Sequence, residues 1–159
     1  MTGWTHLDEQ GHAVMVDVGD KPVTQRLAKA TGSIAMSPAC YEALKNGGLP
    51  KGDALAVARV AGILAAKRTW ETIPLCHPVP LSKVGVEFLW DDEGHSLQAV
   101  CTAQCSGRTG VEMEALCGAT AALLTVYDMC KALDKAMVIG GVRLLEKRGG
   151  KSGRYLRED

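Results

Sequence analysis

The 159-residue sequence has few aromatic residues and no net charge. Phe, Trp and Tyr make up 4% of the chain, and 18 basic side chains balance 18 acidic ones. A general nucleic-acid binder needs a basic surface, and a single-strand binder also needs aromatic rings on which bases stack. The composition therefore argues against nucleic acid as a partner.

The sequence also lacks a membrane-spanning run, a secretory signal and a metal-ligand pattern. The uncharged stretch Ala115–Tyr127 is too short to cross a bilayer. The six cysteines need not form disulfides, because a chain of this length can bury a sufficient core, so we expect reduced thiols, a cytoplasmic location and no membrane partner. Cys101 and Cys105 would lie about 13 Å apart on one strand face, and Cys76–His77 is a lone pair. We expect no bound metal.

The strongest helix pattern runs from Arg108 to Lys131. Thr109 and Glu112 fit a capping box, which predicts a helix start near Gly110. The stretch Ala115–Tyr127 carries no charge on any face, so it must be covered on all sides by its own domain or by a partner.

The two ends of this helix carry ionisable side chains. Asp128 and Lys131 are three residues apart and can pair on one helical face. Glu112 lies sixteen residues before Asp128, which places it about 24 Å away along the axis. If both ends are functional, antiparallel pairing of two copies would bring them into one composite site. The alternative is that Glu112 is only a cap and Asp128–Lys131 only an ion pair.

The remaining patterns predict one domain, 1–159, of mixed strands and helices. Ser37-Pro38 and Asp53 are typical helix starts, and Asn46–Gly48 is a typical stop. Gly140-Gly141 indicates a bulge or close approach. The predicted segments are a loose arm at Met1–Gln10, strands at Ala13–Val18 and Lys21–Met36, helices from Pro38 and over Ala54–Trp70, a hairpin of Lys83–Trp90 and Ser96–Cys105, a strand at Ala136–Glu146 and a Gly-rich basic tail at Lys147–Asp159.

This order predicts an α+β fold with the ferredoxin-like β-α-β-β-α-β arrangement. Its expected form is a sandwich of an antiparallel sheet with helices on one face. The fold hosts many functions, so it does not determine the chemistry.

One loop, Thr72–Pro80, has three prolines within nine residues and is therefore stiff. It presents Cys76 and His77, either as the wall of a site or as part of a structural turn. Lys51 precedes a helix start, and Lys67 lies on an otherwise apolar helix; each is a candidate site cation or an ordinary solvated lysine. Gly150-Lys151-Ser152 lacks the earlier glycine of a P-loop, so the tail is at most a basic segment touching a phosphate.

Five motifs together resemble the cyclic pyranopterin monophosphate synthase family, known also as molybdenum cofactor biosynthesis protein C. They cover nearly the whole chain in the family's order. Gly19, where the family pattern has serine, lies outside the catalytic motifs. The motifs are MVDV at Met15–Val18, Lys67, PLCHP at Pro74–Pro78, GVEMEAL at Gly110–Leu116 and YDMCKA at Tyr127–Ala132.

The resemblance implies a cytoplasmic lyase of molybdenum cofactor biosynthesis. Its substrate would be (8S)-3',8-cyclo-7,8-dihydroguanosine 5'-triphosphate, and its products cyclic pyranopterin monophosphate, a pterin, and diphosphate. It implies a homohexamer, a trimer of dimers with the site at the dimer interface, and transient contact with the radical enzyme that makes the substrate. No cofactor is implied beyond a divalent cation such as magnesium with the triphosphate.

The resemblance also assigns site residues. Asp128 falls on the catalytic aspartate, and Lys51 and Lys131 fall on the acid/base lysines. The chemistry adds that the triphosphate and the departing diphosphate need positive charge, a role open to Arg26, Lys67, Lys147 and Lys151. The positions that match substrate-contact or other site residues are Leu75, Cys76, His77, Met113, Glu114, Glu112 and Lys67.

Two other classes of function compete with this interpretation. A non-catalytic nucleotide-binding module would lose binding rather than turnover when Asp128 or Lys131 is changed. An RNA-binding module would use Phe88 and Trp90 for base stacking, against the neutral net charge. Neither explains the Cys-His-Pro loop together with two charged helix ends.

Overall fold

The computed structural model describes residues 6–158 and contains one five-stranded sheet with four helices. Ser37 caps the first helix by accepting from the Cys40 amide at 3.3 Å, and Asp53 caps the second by accepting from Ala56 at 3.0 Å, as predicted. The elements are β1 (Thr24–Ala35), α1 (Pro38–Lys45), α2 (Ala54–Lys67), α3 (Thr69–Thr72), β2 (Leu81–Asp91), β3 (Ser96–Gly107), α4 (Glu112–Cys130), β4 (Val138–Arg148) and β5 (Tyr155–Leu156).

The strands are antiparallel in the order β2-β3-β1-β4-β5. The first four strands have the predicted ferredoxin-like order, and β5 extends the sheet at the β4 edge. The predicted irregularity at Gly140-Gly141 is confirmed, because the β1–β4 register shifts between Thr31 and Ser33 and Gly141 has φ +63°.

One face of the sheet is buried under α2 and α4. In β3 the side chains alternate strictly, with Leu97, Ala99, Cys101, Ala103 and Cys105 fully buried. All six cysteines are free thiols.

Small residues let the helices approach closely. A Cβ added to Gly62 of α2 would lie 2.8 Å from the Gly118 carbonyl oxygen of α4, and one added to Gly118 would overlap the Cys101 sulfur. Gly32 of β1 is equally tight, since a Cβ there would lie 2.9 Å from a Leu123 methyl group. These contacts fix α4 against both the sheet and α2.

The predicted strand at Ala13–Val18 is wrong. Among residues 6–158, Ala13 forms a bridge to Leu7, and the rest of this segment pairs with no described strand. The alternating pattern favours an extended chain, but in this part of the protein it lacks a neighbouring strand. The predicted loose arm is also corrected in part: Asp8 accepts hydrogen bonds from the amides of Gln10 and His12, so this part is a turn. Met1–Thr5 lie outside the described residues.

Three other boundaries differ from the prediction. The second helix ends at Lys67 and a separate short helix follows, Thr69–Thr72. The central helix begins at Glu112 with Val111 as its N-cap and no capping side chain, so the predicted capping box is wrong. The predicted tail is also shorter, because β4 continues to Arg148 and Tyr155–Leu156 pair with it; Asp159 lies outside the described residues.

The part of the chain that the structure describes includes no helix long and apolar enough to cross a membrane. The stacking residues of the RNA-binding alternative are not available, because Phe88 and Trp90 pack against the core. The Arg59 guanidinium lies over the Phe88 ring, with its central carbon 5.5 Å from the ring centroid. Trp90 makes an edge-to-face contact with Tyr41. That alternative therefore loses its structural basis.

Candidate active site

The Pro-rich loop and the start of α4 form a cavity of about 260 Å³, here called the central cavity. The loop connects α3 to β2 and begins with a turn in which the Cys76 amide donates to the Ile73 carbonyl oxygen at 3.1 Å. Six of the predicted site residues line the cavity: Leu75, Cys76, His77, Glu112, Met113 and Glu114. The structure thus brings together two motifs that are about 35 residues apart in sequence.

His77 ties this loop to the N-terminal segment. Its Nε2 lies 2.8 Å from the Val16 carbonyl oxygen, so Nε2 donates the proton of this hydrogen bond. Val16 and Val18 also line the central cavity. The MVDV motif therefore forms a wall of the site rather than a strand.

Glu114 is a buried acid in this cavity, only 4% exposed. Burial raises the pKa of its carboxyl group to about 6, assisted by the nearby Glu112 charge and opposed by a hydrogen bond from its own amide. Burial also raises the pKa of the Cys76 thiol, as does the adjacent Glu114. A carboxyl group with a pKa near 6 can exchange a proton with a ligand near neutral pH.

A second cavity of about 550 Å³ adjoins the first and shares Lys21, Thr109, Gly110 and Glu112 with it. We call it the cationic cavity. Lys147 Nζ lies 4.0 Å from Glu112 Oε1 at the junction, and the Thr24 hydroxyl on the wall is buried without a hydrogen-bond partner among the described residues. The five cations that line it are Lys21, Arg26, Arg108, Lys147 and Lys151.

The third group of residues lies at the other end of α4 and is here called the lysine–aspartate cluster. Asp128 Oδ1 is 2.7 Å from Lys131 Nζ, and Oδ2 is 3.2 Å from Lys51 Nζ. Lys51 also donates to the Asp128 backbone oxygen at 3.1 Å. The predicted Asp128–Lys131 pair is present, and the structure adds Lys51 from the turn before α2.

The two lysines lower the pKa of the Asp128 carboxyl group, with Lys131 as the larger cause. Asp128 in turn raises the pKa of Lys131 through a hydrogen bond. In the single chain the nearby Asp128 anion outweighs the partial desolvation of this amine.

Lys67 does not join either group. It ends α2 and lines a separate cavity of about 440 Å³, which shares only Val79 with the central cavity. Glu112 and Asp128 lie within one continuous 19-residue helix, so the helix rise separates them by about 24 Å. The predicted site residues thus form two distant groups and one isolated lysine.

Among residues 6–158, no three His, Cys, Asp or Glu side chains are grouped so that they could hold a metal ion. Sequence reasoning missed Lys21 and Arg108 as cavity residues. Lys21 lies beside Pro22 in an irregular segment, and Arg108 lies in the turn after β3, so neither has a sequence signal that distinguishes it from a surface cation.

Comparison with known proteins identifies close relatives over nearly the full length. The MoaC family model matches residues 15–150. A Chloroflexus aggregans protein named cyclic pyranopterin monophosphate synthase is 57% identical over 155 residues, covering 98% of this chain and 94% of the relative. A Chloroflexus aurantiacus protein of the same name is 57% identical over 153 residues, covering 96% of this chain and 94% of the relative.

Proposed function

The chain belongs to the MoaC family, and from this we propose that it is a cyclic pyranopterin monophosphate synthase of molybdenum cofactor biosynthesis. In this proposal it is a diphosphate-releasing lyase. It converts (8S)-3',8-cyclo-7,8-dihydroguanosine 5'-triphosphate to cyclic pyranopterin monophosphate and diphosphate.

The supporting observation is the separation of the predicted site residues into two groups at opposite ends of α4. The central cavity has a desolvated acid and a histidine but no lysine of the acid/base pair. The lysine–aspartate cluster has both lysines. We infer that the active site forms when the cluster of one subunit meets the central cavity of another, across a two-fold axis.

In such a site Lys51 and Lys131 would carry the proton transfers that ring opening and recyclisation require. Asp128 would hold both ammonium groups in position, with one carboxylate oxygen facing each lysine. Closure by the partner would desolvate both lysines, which opposes the rise in the pKa of Lys131 that Asp128 causes. We infer that the two lysines divide the roles of general acid and general base. If Lys51→Ala and Lys131→Ala each assemble normally and retain the parent's turnover, that inference is wrong.

The cationic cavity is the proposed location of the triphosphate. It adjoins the central cavity, so one nucleotide-derived ligand can place its base in the central cavity and its phosphates among the cations. A divalent cation such as magnesium would arrive with the triphosphate. Lys67 would reach the ligand only from the neighbouring cavity, which makes it a peripheral contact within one chain.

The proposed assembly is a cytoplasmic homohexamer, a trimer of dimers. The apolar side chains that α2 and α4 leave exposed, Val57, Val60, Leu64 and Leu124, are consistent with further self-association. Transient contact with the radical enzyme that makes the substrate is part of the same proposal. No nucleic-acid or membrane partner is proposed.

The test mixes two inactive variants, Glu112→Ala and Asp128→Ala, under conditions that allow subunits to exchange. In a heterodimer one composite site carries both substitutions and the other carries neither. Half of the dimers are mixed and half of their sites are intact, so turnover should recover to about a quarter of the parent's value.

Two controls make the result specific. A mixture of Asp128→Ala with Lys131→Ala should stay inactive, because both substitutions affect the same end of the helix. The Glu112 and Asp128 variants mixed without exchange should also stay inactive. Failure of the exchanged Glu112–Asp128 mixture would reject the composite site. An inert parent that still binds nucleotides would instead favour the non-catalytic binding module.

A further inference from the structure

The double glycine that follows β4 packs directly against Arg26. Gly149 and Gly150 have φ +97° and +77°, a region that side chains rarely adopt. A Cβ on Gly149 would overlap the Gln25 carbonyl oxygen, and one on Gly150 would overlap Arg26 Nη1. Gly149 is therefore required for conformation and for space, because it meets backbone, whereas a methyl group at Gly150 would displace the Arg26 guanidinium.

The other side of the Arg26 guanidinium is fixed by two backbone carbonyls. Nε donates to the Gly107 oxygen at 3.2 Å, and Nη2 donates to the Arg108 oxygen at 3.2 Å. These bonds use two of the five donors of the guanidinium. The side chain is thus held between the end of β3 and the glycine turn.

The residues that follow the double glycine line the cationic cavity. Lys151 and Ser152 line that cavity, and Ser152 contacts the Lys147 ammonium group. The buried Thr24 hydroxyl, which has no hydrogen-bond partner among residues 6–158, is on the same wall. A cavity with several cations and an unsatisfied hydroxyl is suited to an oxygen-rich anion.

We propose that Gly149-Gly150 is a positioning element that clamps Arg26 so that its guanidinium is ordered for a phosphate group before the ligand arrives. The clamp reduces the rotamer freedom that an arginine otherwise loses on binding. The identity of the ligand as a nucleoside triphosphate derivative rests on the proposed function; the clamp itself rests on the contacts of Arg26.

The test compares the full-length Gly150→Ala and Gly153→Ala variants with the parent by calorimetric titration with GTP and with guanosine. Gly153 also has a positive φ, +63°, but no atom within 4 Å of an added Cβ, so it controls for backbone strain. Gly150→Ala should weaken GTP binding about tenfold or more and leave guanosine binding unchanged. Gly153→Ala should leave both affinities near the parent's values.

The double variant Arg26→Lys, Gly150→Ala separates clamping from folding. A lysine at position 26 lacks the Nη1 group that the new methyl would strike, so this variant should fold even if Gly150→Ala does not. It should bind GTP no more weakly than Arg26→Lys alone, because the residue being positioned is already gone. A further additive loss would overturn the proposal.

Three other results would also overturn it. These are unchanged GTP binding in Gly150→Ala, an equal loss of GTP and guanosine binding, and a parent that does not prefer GTP to guanosine. A parent that prefers GTP but cannot convert the cyclised substrate would reject the proposed activity and leave the clamp intact.

Discussion

The two ends of α4 carry carboxyl groups in opposite electrostatic surroundings. Glu114 is buried, and no ion pair forms with it among residues 6–158, so its pKa rises to about 6. Asp128 is exposed between two ammonium groups, so its pKa falls. One end therefore holds a carboxyl group with a pKa of about 6, which suits proton exchange, and the other a fixed anion, which suits the positioning of cations.

The middle of the helix keeps the two ends apart. Gly118, Ala119 and Ala122 are buried against α2 and the sheet, and the close contact between Gly62 and Gly118 leaves no room to slide. A helix held this way acts as a rigid spacer of about 24 Å between Glu112 and Asp128. The spacing, more than either end alone, is what makes a shared site between subunits the natural arrangement.

The largest expected effect is at the exposed end. Asp128→Ala removes the anion that orients both Lys51 and Lys131, so we expect kcat to fall between about 100-fold and 10,000-fold. The measurement is steady-state turnover of the cyclised GTP substrate. Oligomeric state is measured alongside, so that the loss of kcat is taken from a variant that still assembles.

The matched control is another aspartate held by a lysine. Asp92 accepts from Tyr41 Oη at 2.5 Å and pairs with Lys45 at the hairpin tip, far from both cavities along the sheet. Asp92→Ala should leave kcat within about twofold of the parent's value. Equal losses in the two variants would mean that Asp128 matters for folding rather than chemistry, and the comparison of the two ends would fail.

A change in the middle of α4 should affect both ends together. Gly118→Ala places a methyl group on the Cys101 sulfur and 3.2 Å from the Gly62 oxygen, so we expect a loss of about 3 kcal/mol in the free energy of unfolding. Urea unfolding measures it. Gly85→Ala, where nothing lies within 4 Å of the added group, should change stability by less than about 1 kcal/mol. If Gly118→Ala and Gly85→Ala have similar free energies of unfolding, the packing around Gly118 is not tight, and α4 is not a rigid spacer.

Much of this arrangement could be predicted from sequence because it follows local rules. The helix caps at Ser37 and Asp53, the strand alternation and the Asp128–Lys131 spacing each depend on residues close in the chain. The order of these elements then fixed the fold class, with β5 as an unpredicted addition at the sheet edge.

The errors occur where distant contacts override local pattern. Glu112 matched a capping residue, but its side chain turns back over Gly110 and faces Lys147 across the cavity junction. The Ala13–Val18 alternation matched a strand, but its backbone acceptor is used by His77. The buried state of Glu114 and the approach of Lys51 to Asp128 also depend on tertiary packing, which a single sequence does not report.

The smallest expected effect is a pH-dependent stability difference at the buried end. Below pH 4.5 Glu114 is protonated in both states. Between pH 4.5 and about 6 the side chain at position 114 ionises first in the unfolded chain, so the free energy of unfolding falls by about 2 kcal/mol and stays lower at higher pH.

Glu114→Gln removes this titration, so the stability of the variant relative to the parent should rise by that amount between pH 4.5 and 7.5 in urea unfolding. Glu87→Gln, at an exposed position on β2, is the control and should show no such rise. Asp128→Asn should show the opposite sign, because a lowered pKa gives stability that is lost as the pH falls. If Glu114→Gln and Glu87→Gln respond alike, Glu114 is not desolvated, and the two ends of α4 do not differ in electrostatic environment.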